Sequence, residues 1–370
     1  MNAREKFLKI ASFELTDKLM LPREWQWFWI TTIERWKNEG LPADVHLSQF
    51  FGFERMEMFP LLLGEHTALL PPYEWQILKQ TEDYRIVITE EGIKRKEFIP
   101  RTPGEEKTPR SMSQWLEFPI KNSTDWQKFK KRLNPASPAR YPEYWEDKKN
   151  YWKNRNYPLG LKVGSFYGWL RDWVGLVNLS LMFYDNVSLV HEMMEYLEYF
   201  IIETIRKAVE EIKFDFAHFW EDMAFKTGPL ISPTMFKEFL LPHYKKITSY
   251  LRGKGVDIIT VDSDGNINEL IPLWLEADVN GFLPLEVAAD MDAIAIRKKY
   301  GKNTLLIGNI DKRALIKGKE AIKHEVESKV PYLLSQGGYL PTIDHAVPPD
   351  VPFENYMYYL HLLRKIDVNR

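Results

Sequence analysis

Two acidic residues and a glycine follow an apolar run in the stretch "TVDSDGNI", residues 260–267. Asp262 and Asp264 stand one residue apart, and Gly265 comes directly after them. A calcium-binding EF-hand loop is excluded, because it needs glutamate at its twelfth position and that position is Leu273 here. Carboxylates at the end of an apolar run cost burial energy. We therefore expect them to hold a ligand, with a solvated helix-capping turn as the alternative.

Further polar side chains follow the other apolar runs that we predict to be strands. They are His218, Glu221, Asp222, Glu286, Asn309, Asp311, Asp344 and His345. In a barrel of parallel strands the carboxyl ends of the strands meet at one mouth, where active sites lie. Simpler roles stay open at this point. Asn309 and Asp311 could cap a helix, and His218 could be a hydrogen-bonded core histidine.

The elements that must position these residues are most regular over 151–370. Runs such as "VDIITV" (256–261) are apolar on both faces, and each precedes a helical pattern, such as the one over 232–255. Six units of this kind with short connections predict parallel strands covered by helices. We therefore predict an α/β fold, a single (β/α)8 TIM barrel.

The first 150 residues are less regular. Residues 72–99 alternate like a two-stranded β-hairpin with a turn near Glu82 and Asp83, so the barrel is predicted to carry an N-terminal extension containing this hairpin. The polar, proline-bearing stretch 100–114 is predicted to be a loop. The whole chain, 1–370, is predicted to be one barrel domain.

Composition excludes several classes of function. The 370 residues carry a formal net charge of -2, so nothing indicates attraction to nucleic acid or to anionic membranes. The chain has no cysteine, which removes disulfides, thiolate metal sites and cysteine nucleophiles. Neither a signal peptide nor an apolar run long enough to span a membrane is found in the sequence. We expect a cytoplasmic protein that acts on a small molecule.

Four segments resemble the uroporphyrinogen decarboxylase family, whose superfamily also contains cobalamin-dependent methyltransferases. They are "WEDMAFKTGPLISPTMFKEFLLPHYKKI", "TVDSDGNI", "LLIGNIDKRAL" and "GGYLPTIDHAVPPDVPFENY", which occur in the family's order. The resemblance runs from about Leu159 to Ile366 and implies a (β/α)8 barrel. It also implies a carboxyl-lyase that needs no cofactor and acts on a tetrapyrrole-like or other small carboxylated substrate by acid–base chemistry.

Roles for single residues follow from this resemblance and from the chemistry of protonation, for which histidine and carboxylic acids are suited. The residues to which we assign catalysis are His345, Asp264 and Asp262. Those to which we assign substrate binding are Glu221, Asp222, His218, Asn309 and Asp344. The arginine-rich N-terminal segment with which the decarboxylases bind their substrate's carboxylates is not found in this sequence.

Two other functions stay open. The first is the methyltransferase component of a cobalamin-dependent system, with a corrinoid protein as partner and a divalent metal on Asp262, Asp264 and His345. The family's methyltransferases use cysteines for zinc, and this chain has none. The second is a non-catalytic, ligand-binding barrel. A homodimer is a further candidate assembly.

Overall fold

The computed structural model describes residues 1–16, 18–61, 63, 68–99 and 113–366. Its strands, in chain order, are β1 (Glu57–Met58), β2 (Gln76–Gln80), β3 (Tyr84–Ile88), β4 (Lys94–Phe98), β5 (Gln114–Glu117), β6 (Leu159–Lys162), β7 (Phe216–Trp220), β8 (Ala224–Phe225), β9 (Gly228–Pro229), β10 (Ile259–Asp262), β11 (Gly281–Leu283), β12 (Leu305–Ile307) and β13 (Tyr339–Leu340).

The helices, in chain order, are α1 (Ala3–Ala11), α2 (Ile30–Asn38), α3 (Leu47–Phe50), α4 (Ser123–Phe129), α5 (Trp145–Lys153), α6 (Tyr167–Val174), α7 (Leu176–Asp185), α8 (Val187–Glu211), α9 (Pro233–Met235), α10 (Leu241–Gly253), α11 (Ile271–Glu276), α12 (Ala293–Tyr300), α13 (Lys312–Lys317), α14 (Lys319–Gln336) and α15 (Phe353–Lys365). A π-helical turn, Phe236–Leu240, joins α9 to α10.

Seven parallel strands form the main sheet, in the order β1-β6-β7-β10-β11-β12-β13. Side chains alternate between its two faces. In β7, Phe216 belongs to the cluster inside the curl of the sheet, whereas Ala217 and Phe219 pack against the covering helices. The curl brings together side chains from strands that are distant in the sheet, namely Met56, Phe216, Leu283, Leu305, Ile307 and Leu340. The predicted α/β class with a curled parallel sheet is therefore confirmed.

The predicted count of eight strands is not matched within the described ranges, where the parallel sheet has seven. The segment 22–28 makes only isolated parallel bridges, from Pro22 to Glu54 and from Phe28 to Val347. Closure of the sheet into a complete barrel stays a prediction, as does the assignment of the whole chain to one domain.

Helix ends follow local sequence signals. Ser232 accepts a hydrogen bond from the backbone N–H of Met235, at 3.2 Å, and Asp311 accepts one from Arg313, at 2.8 Å. Gly318 separates α13 from α14. With φ at +112°, Gly318 takes a backbone conformation that other residues rarely adopt.

The N-terminal part contains more strands than the predicted two-stranded hairpin. The strands β2, β3, β4 and β5 form an antiparallel sheet in that order, and β2 and β3 meet around residues 81–83. Of the predicted loop 100–114, residues 100–112 lie outside the described residues. The strand β4, "KRKEF", has four charged residues and one apolar residue, so it lacks the alternation of apolar and polar residues that indicates a separate strand.

The first helix covers the amino ends of the parallel strands. Phe7 and Ile10 of α1 pack into the cluster inside the curl. Arg4 Nε lies 2.8 Å from Asp215 Oδ1, just before β7, and the Gly338 N–H donates to the Ile10 carbonyl at 3.1 Å, just before β13. The opposite, carboxyl ends of the strands are thus the open side. No helix in the described ranges is both long enough and apolar enough to cross a membrane.

Candidate functional site

A cavity of about 800 Å³ lies at the carboxyl ends of the parallel strands. Four of the residues predicted from the sequence line it, and we call them the cavity cluster: Asp222, Asp262, Asp264 and His345. They come from three places in the chain, since Asp262 ends β10, Asp222 follows β7, and His345 lies beyond β13. Ligands of parallel α/β sheets bind at this end of the strands.

A polar contact inside the cavity cluster joins a histidine to a carboxylate. His345 Nε2 lies 3.2 Å from Asp264 Oδ2, and each side chain is about one-third exposed. The hydrogen bond to Asp264 raises the pKa of His345, against the opposite effect of burial. The imidazole therefore keeps its proton to higher pH than an ordinary histidine does.

Asp222 lies between Asp264 and an arginine. Its Oδ1 accepts a hydrogen bond from the backbone N–H of Asp264, at 3.3 Å, and its Oδ2 lies 3.6 Å from Arg171 Nη2. Burial raises the pKa of Asp222, the negative charge of Asp264 raises it further, and Arg171 acts in the opposite direction. Asp222 thus binds its proton more readily than an ordinary aspartate.

The antiparallel sheet supplies one wall of the cavity. Its strands, the connection between β3 and β4, and the residue just before β2 contribute Trp75, Thr89, Glu90, Glu91, Ile93, Arg95 and Trp115. The parallel sheet contributes Trp220 from the end of β7, and Trp27 comes from the segment before α2. The N-terminal extension is therefore part of the site, although the resemblance in sequence is carried by the other half of the chain.

The family model described as Uroporphyrinogen decarboxylase (URO-D) matches residues 173–366, slightly more than half of the chain. The chain belongs to the uroporphyrinogen decarboxylase family. The matched range includes the whole cavity cluster and none of the antiparallel sheet. The family match therefore bears on the strand ends, and the facing wall lies outside the matched range.

Relatives within the uroporphyrinogen decarboxylase family are distant. The uroporphyrinogen decarboxylase of Legionella pneumophila (strain Corby) is 26% identical over 202 residues, 53% of either chain. The chloroplastic uroporphyrinogen decarboxylase of Zea mays is 27% identical over 139 residues, 37% of this chain and 34% of its own. The alignments thus span about half, or less, of the curated relatives' length. The activity of those whole proteins is not transferred to this chain by the match alone.

A solved structure matches over nearly the whole chain. It is a methyltransferase from Methanosarcina mazei, with a TM-score of 0.58, 14% identity and 98% coverage of both chains. At this identity the likeness shows the fold alone. It supports a TIM-barrel-like fold.

Glu221, predicted to bind substrate, instead supports the start of a helix. Its carboxylate is fully buried and accepts hydrogen bonds from three successive backbone N–H groups, those of residues 166–168, at 2.8 to 3.0 Å. The hydroxyls of Ser165, at 2.9 Å, and Tyr244 also donate to it. Burial raises the pKa of Glu221, and these donors act in the opposite direction. The carboxylate ties β7 to α6, and it is absent from the described lining of the cavity.

Asp344 and Asn309 serve similar purposes. Asp344 is fully buried and accepts hydrogen bonds at 3.0 Å from the backbone N–H groups of Val287 and Lys312, the latter at the start of α13. Asn309 accepts from the Ala293 N–H at 3.0 Å and donates to two backbone carbonyls at 2.8 Å. Together with Glu221 we call these the anchoring residues. Their hydrogen bonds fix loops around the mouth.

His218 lies one layer below the cavity, inside the sheet. Its Nδ1 is 2.9 Å from Thr260 Oγ1, and Lys162 is its register partner on β6. Burial, with the charge of Lys162, lowers the pKa of His218 to about 3, so the ring is neutral. The simpler interpretation of a hydrogen-bonded core histidine fits this position. Glu286, one of the polar residues that follow the predicted strands, accepts hydrogen bonds from the Gly265 N–H and from Lys312 Nζ, both at 3.0 Å.

The described side chains do not form the predicted metal site. Asp262, Asp264 and His345 all line the cavity, but no group of three or more His, Asp or Glu side chains in the described part of the chain is arranged to hold a metal ion. Asp264 and His345 are instead hydrogen-bonded to each other. The arrangement does not fit a preformed metal site.

Sequence reasoning missed most of the cavity wall. Trp220 could have been found, because it ends the strand before Glu221 and the strand-end rule applies to it equally. Arg171 lies within α6 and carries no spacing signal. Trp75 and Trp115 belong to a sheet whose position over the mouth depends on contacts far apart in the chain.

Proposed function

We propose that this chain is a carboxyl-lyase that removes CO2 from a small carboxylated substrate in the cavity. The observation that carries the proposal is the pair of His345 and Asp264 on the cavity wall, 3.2 Å apart. Loss of CO2 leaves carbanion or enamine character on carbon, which must then be protonated. His345 is the proton donor in this proposal, and Asp264 orients its ring.

The electrostatics of the pair support this assignment. Because the hydrogen bond from Asp264 raises the pKa of His345, the imidazolium persists toward neutral pH. A general acid is most effective when its pKa lies near the working pH. Asp222, whose pKa is raised by burial and by Asp264, is a second group that could share a proton with the pair.

The described wall favours a substrate with few carboxylates. Its two guanidinium groups, Arg95 and Arg171, are already within salt-bridge distance of Glu97, at 2.6 Å, and of Asp172, at 3.2 Å. A tetrapyrrole with eight carboxylates needs several bidentate cationic partners. We therefore propose a small molecule with one or two carboxylates in place of uroporphyrinogen.

The test is a screen of carboxyl-labelled small molecules and of uroporphyrinogen for release of labelled CO2. On any molecule that is turned over, we expect His345→Gln to bind nearly normally and to be at least about 100-fold slower, since loss of a proton-transfer residue typically costs 100- to 10,000-fold. The matched control is His361→Gln, an exposed histidine on α15, which should keep the full rate.

Two results would count against the proposal. If His345→Gln kept the wild-type rate, the proton donor would have to be Asp262 or Asp264. If no candidate released CO2 while a methylated compound lost its methyl group to a corrinoid protein, the alternative prediction of a methyltransferase component would replace the carboxyl-lyase.

A further inference from the structure

A second cavity, of about 580 Å³, lies beside the cavity described above. The two cavities share part of their walls, because Trp115, Arg171, Asp222 and Asp264 line both of them. The volume of the second cavity falls within the range of about 300–1,000 Å³ that is usual for pockets that bind small molecules. We call it the side cavity. It is continuous with the place that the proposed function assigns to the reaction.

Apolar side chains from three parts of the chain line the side cavity. Two of them keep much of their surface accessible, since Trp115 is 46% exposed and Phe225 is 57% exposed. Apolar surface that borders a cavity favours a ligand that removes it from water. The apolar lining residues are Trp115 in β5 and Phe118 just after it, Leu176 at the start of α7, and Ala224, Phe225 and Leu230 in and just after the hairpin of β8 and β9.

The hairpin of β8 and β9 is fixed to the turn that carries Asp264. The Asn266 N–H donates a hydrogen bond to the Phe225 carbonyl at 2.8 Å. Gly265, between Asp264 and Asn266, allows the hairpin to approach this closely, because a Cβ atom at that position would overlap the Ala224 carbonyl oxygen. The backbone contacts therefore hold Phe225 next to one member of the proposed catalytic pair.

The wall that follows β5 is also held by a backbone contact. The Ile120 N–H donates to the Trp173 carbonyl, near the end of α6, at 3.1 Å. This hydrogen bond brings the segment that contains Phe118 to the junction of α6 and α7, where Leu176 lies. The side cavity is therefore bounded by elements that are tied to the parallel sheet and its helices, as is typical of a preformed pocket.

We infer that the side cavity receives an aromatic arm of the substrate while the reacting carboxylate lies near His345 and Asp264. The inference rests on the proposed function, because it takes the larger cavity as the place of the reaction. An aromatic ring suits the side cavity because the rings of Trp115, Phe118 and Phe225 favour stacked or edge-to-face contacts with another ring. The inferred class of substrate is a carboxylic acid with an aromatic arm.

Binding of the arm would also serve the proposed reaction. The larger cavity, at about 800 Å³, leaves a small acid many orientations. An arm held in the side cavity restricts the positions that the reacting carbon can take relative to His345. Binding energy from a part of the substrate that does not react can lower the barrier in this way. Acids with the arm should therefore be turned over with a higher kcat/KM than the same acids without it.

The test compares three acids that differ only in the arm: 3-phenylpropanoate, 3-cyclohexylpropanoate and propanoate. Their dissociation constants are measured by NMR titration of the full chain. We expect 3-phenylpropanoate to bind at least about 10-fold more tightly than propanoate, since burial of one ring favours binding by at least about that factor. The cyclohexyl compound should bind more weakly than the phenyl compound, because it lacks the ring–ring contacts. Equal affinities for 3-phenylpropanoate and propanoate, or tighter binding of the cyclohexyl compound, would overturn the inference.

A phenylalanine variant locates the arm. Phe225→Ala should raise the dissociation constant of 3-phenylpropanoate by about 3- to 30-fold and leave that of propanoate nearly unchanged, because only the first acid reaches this ring. Phe98→Ala is the matched control, because Phe98 is 51% exposed, close to the 57% of Phe225, and is absent from the described lining of both cavities. Equal effects of the two substitutions on 3-phenylpropanoate would also overturn the inference.

The binding measurements need no turnover. A chain that binds 3-phenylpropanoate in this way and releases no CO2 from any candidate would refute the proposed carboxyl-lyase and leave recognition of an aromatic arm standing. A chain that releases CO2 from small aliphatic acids and does not prefer 3-phenylpropanoate would do the reverse.

Discussion

Neighbouring residues at the strand ends have opposite surroundings. Glu221 and Asp344 are fully buried and accept hydrogen bonds from backbone N–H groups of the loops and helices that follow. Asp222 and His345, one residue further in each case, line the cavity. In both pairs the first residue fixes the backbone from which the second side chain projects. A carboxylate at a strand end therefore does not by itself indicate a functional residue.

The difference lies in the available donors. An anchoring carboxylate is surrounded by N–H groups that no helix can satisfy, because the first N–H groups of a helix lack internal partners. A carboxylate of the cavity cluster has other charges as neighbours, so its proton affinity responds to them. The anchoring residues should thus affect folding, and the cavity cluster should affect pH-dependent chemistry. Each prediction below measures one side of this comparison.

The largest effect on stability is expected for Glu221→Leu. The change removes the acceptor of three backbone N–H groups and two hydroxyls in a fully buried place. We expect the free energy of unfolding to fall by at least about 3 kcal/mol, measured by urea denaturation. The matched variant Asp222→Asn should leave the free energy of unfolding equal or higher. Burial raises the pKa of Asp222, so it disfavours the charged carboxylate that this variant removes. Similar losses in both variants would abolish the distinction.

A smaller loss is expected at the second pair. Asp344→Leu leaves two backbone N–H groups without their acceptor and should reduce the free energy of unfolding by about 1–3 kcal/mol. The loss is smaller than at Glu221 because fewer donors depend on Asp344. His345→Gln, one residue away and partly exposed, should change it by less than about 0.5 kcal/mol. Thermal melts of the two variants compare their stabilities. A lower melting temperature for His345→Gln than for Asp344→Leu would contradict the assignment.

The smallest energetic effect, and the most specific, concerns Asp264→Asn. Loss of the partner carboxylate should lower the pKa of His345, which an NMR titration of the histidine measures. Pairing with Asp264 raises the pKa of His345. The contribution of the pair to stability is therefore fully present below about pH 6.5 and is lost as pH rises through the raised pKa of His345. Wild type and variant should therefore differ by at most about 1 kcal/mol at pH 6 and converge at pH 9. An unchanged His345 pKa would show that the pair is not coupled.

The sequence predicted the parallel sheet well because its signal is local. Each strand is a short apolar run, and some of the helices begin at a side-chain cap that the sequence shows, such as Ser232 before α9 and Asp311 before α13. The cavity cluster was found by the same rule, applied to the residues that follow each strand. The rule could not separate Asp222 from Glu221, because the direction of each side chain depends on the loop backbone. Asp222 has a φ of +50°, which no composition pattern indicates.

The antiparallel wall was harder to predict. In β4, polar and apolar residues pair with neighbours on β3 and β5, and β5 follows only after the segment 100–112. Its placement over the mouth depends on contacts between distant parts of the chain. Trp75, Trp115 and Arg95 therefore entered the site only through the three-dimensional structure.

The contacts of α1 and α2 with residues 338 and 351 constrain the order in which these parts can reach their final positions during synthesis. Ile10 of α1 accepts a hydrogen bond from Gly338, and the Trp36 indole donates to the Val351 carbonyl across 315 positions of sequence. Until the ribosome has released those late residues, Trp36 lacks its ring contacts with Phe353 and Tyr356, and the cluster that contains Phe7 lacks Leu340. Such surfaces on a nascent chain are prone to aggregation. Chaperone capture of stalled chains ending before residue 330 is the expected consequence in the cell.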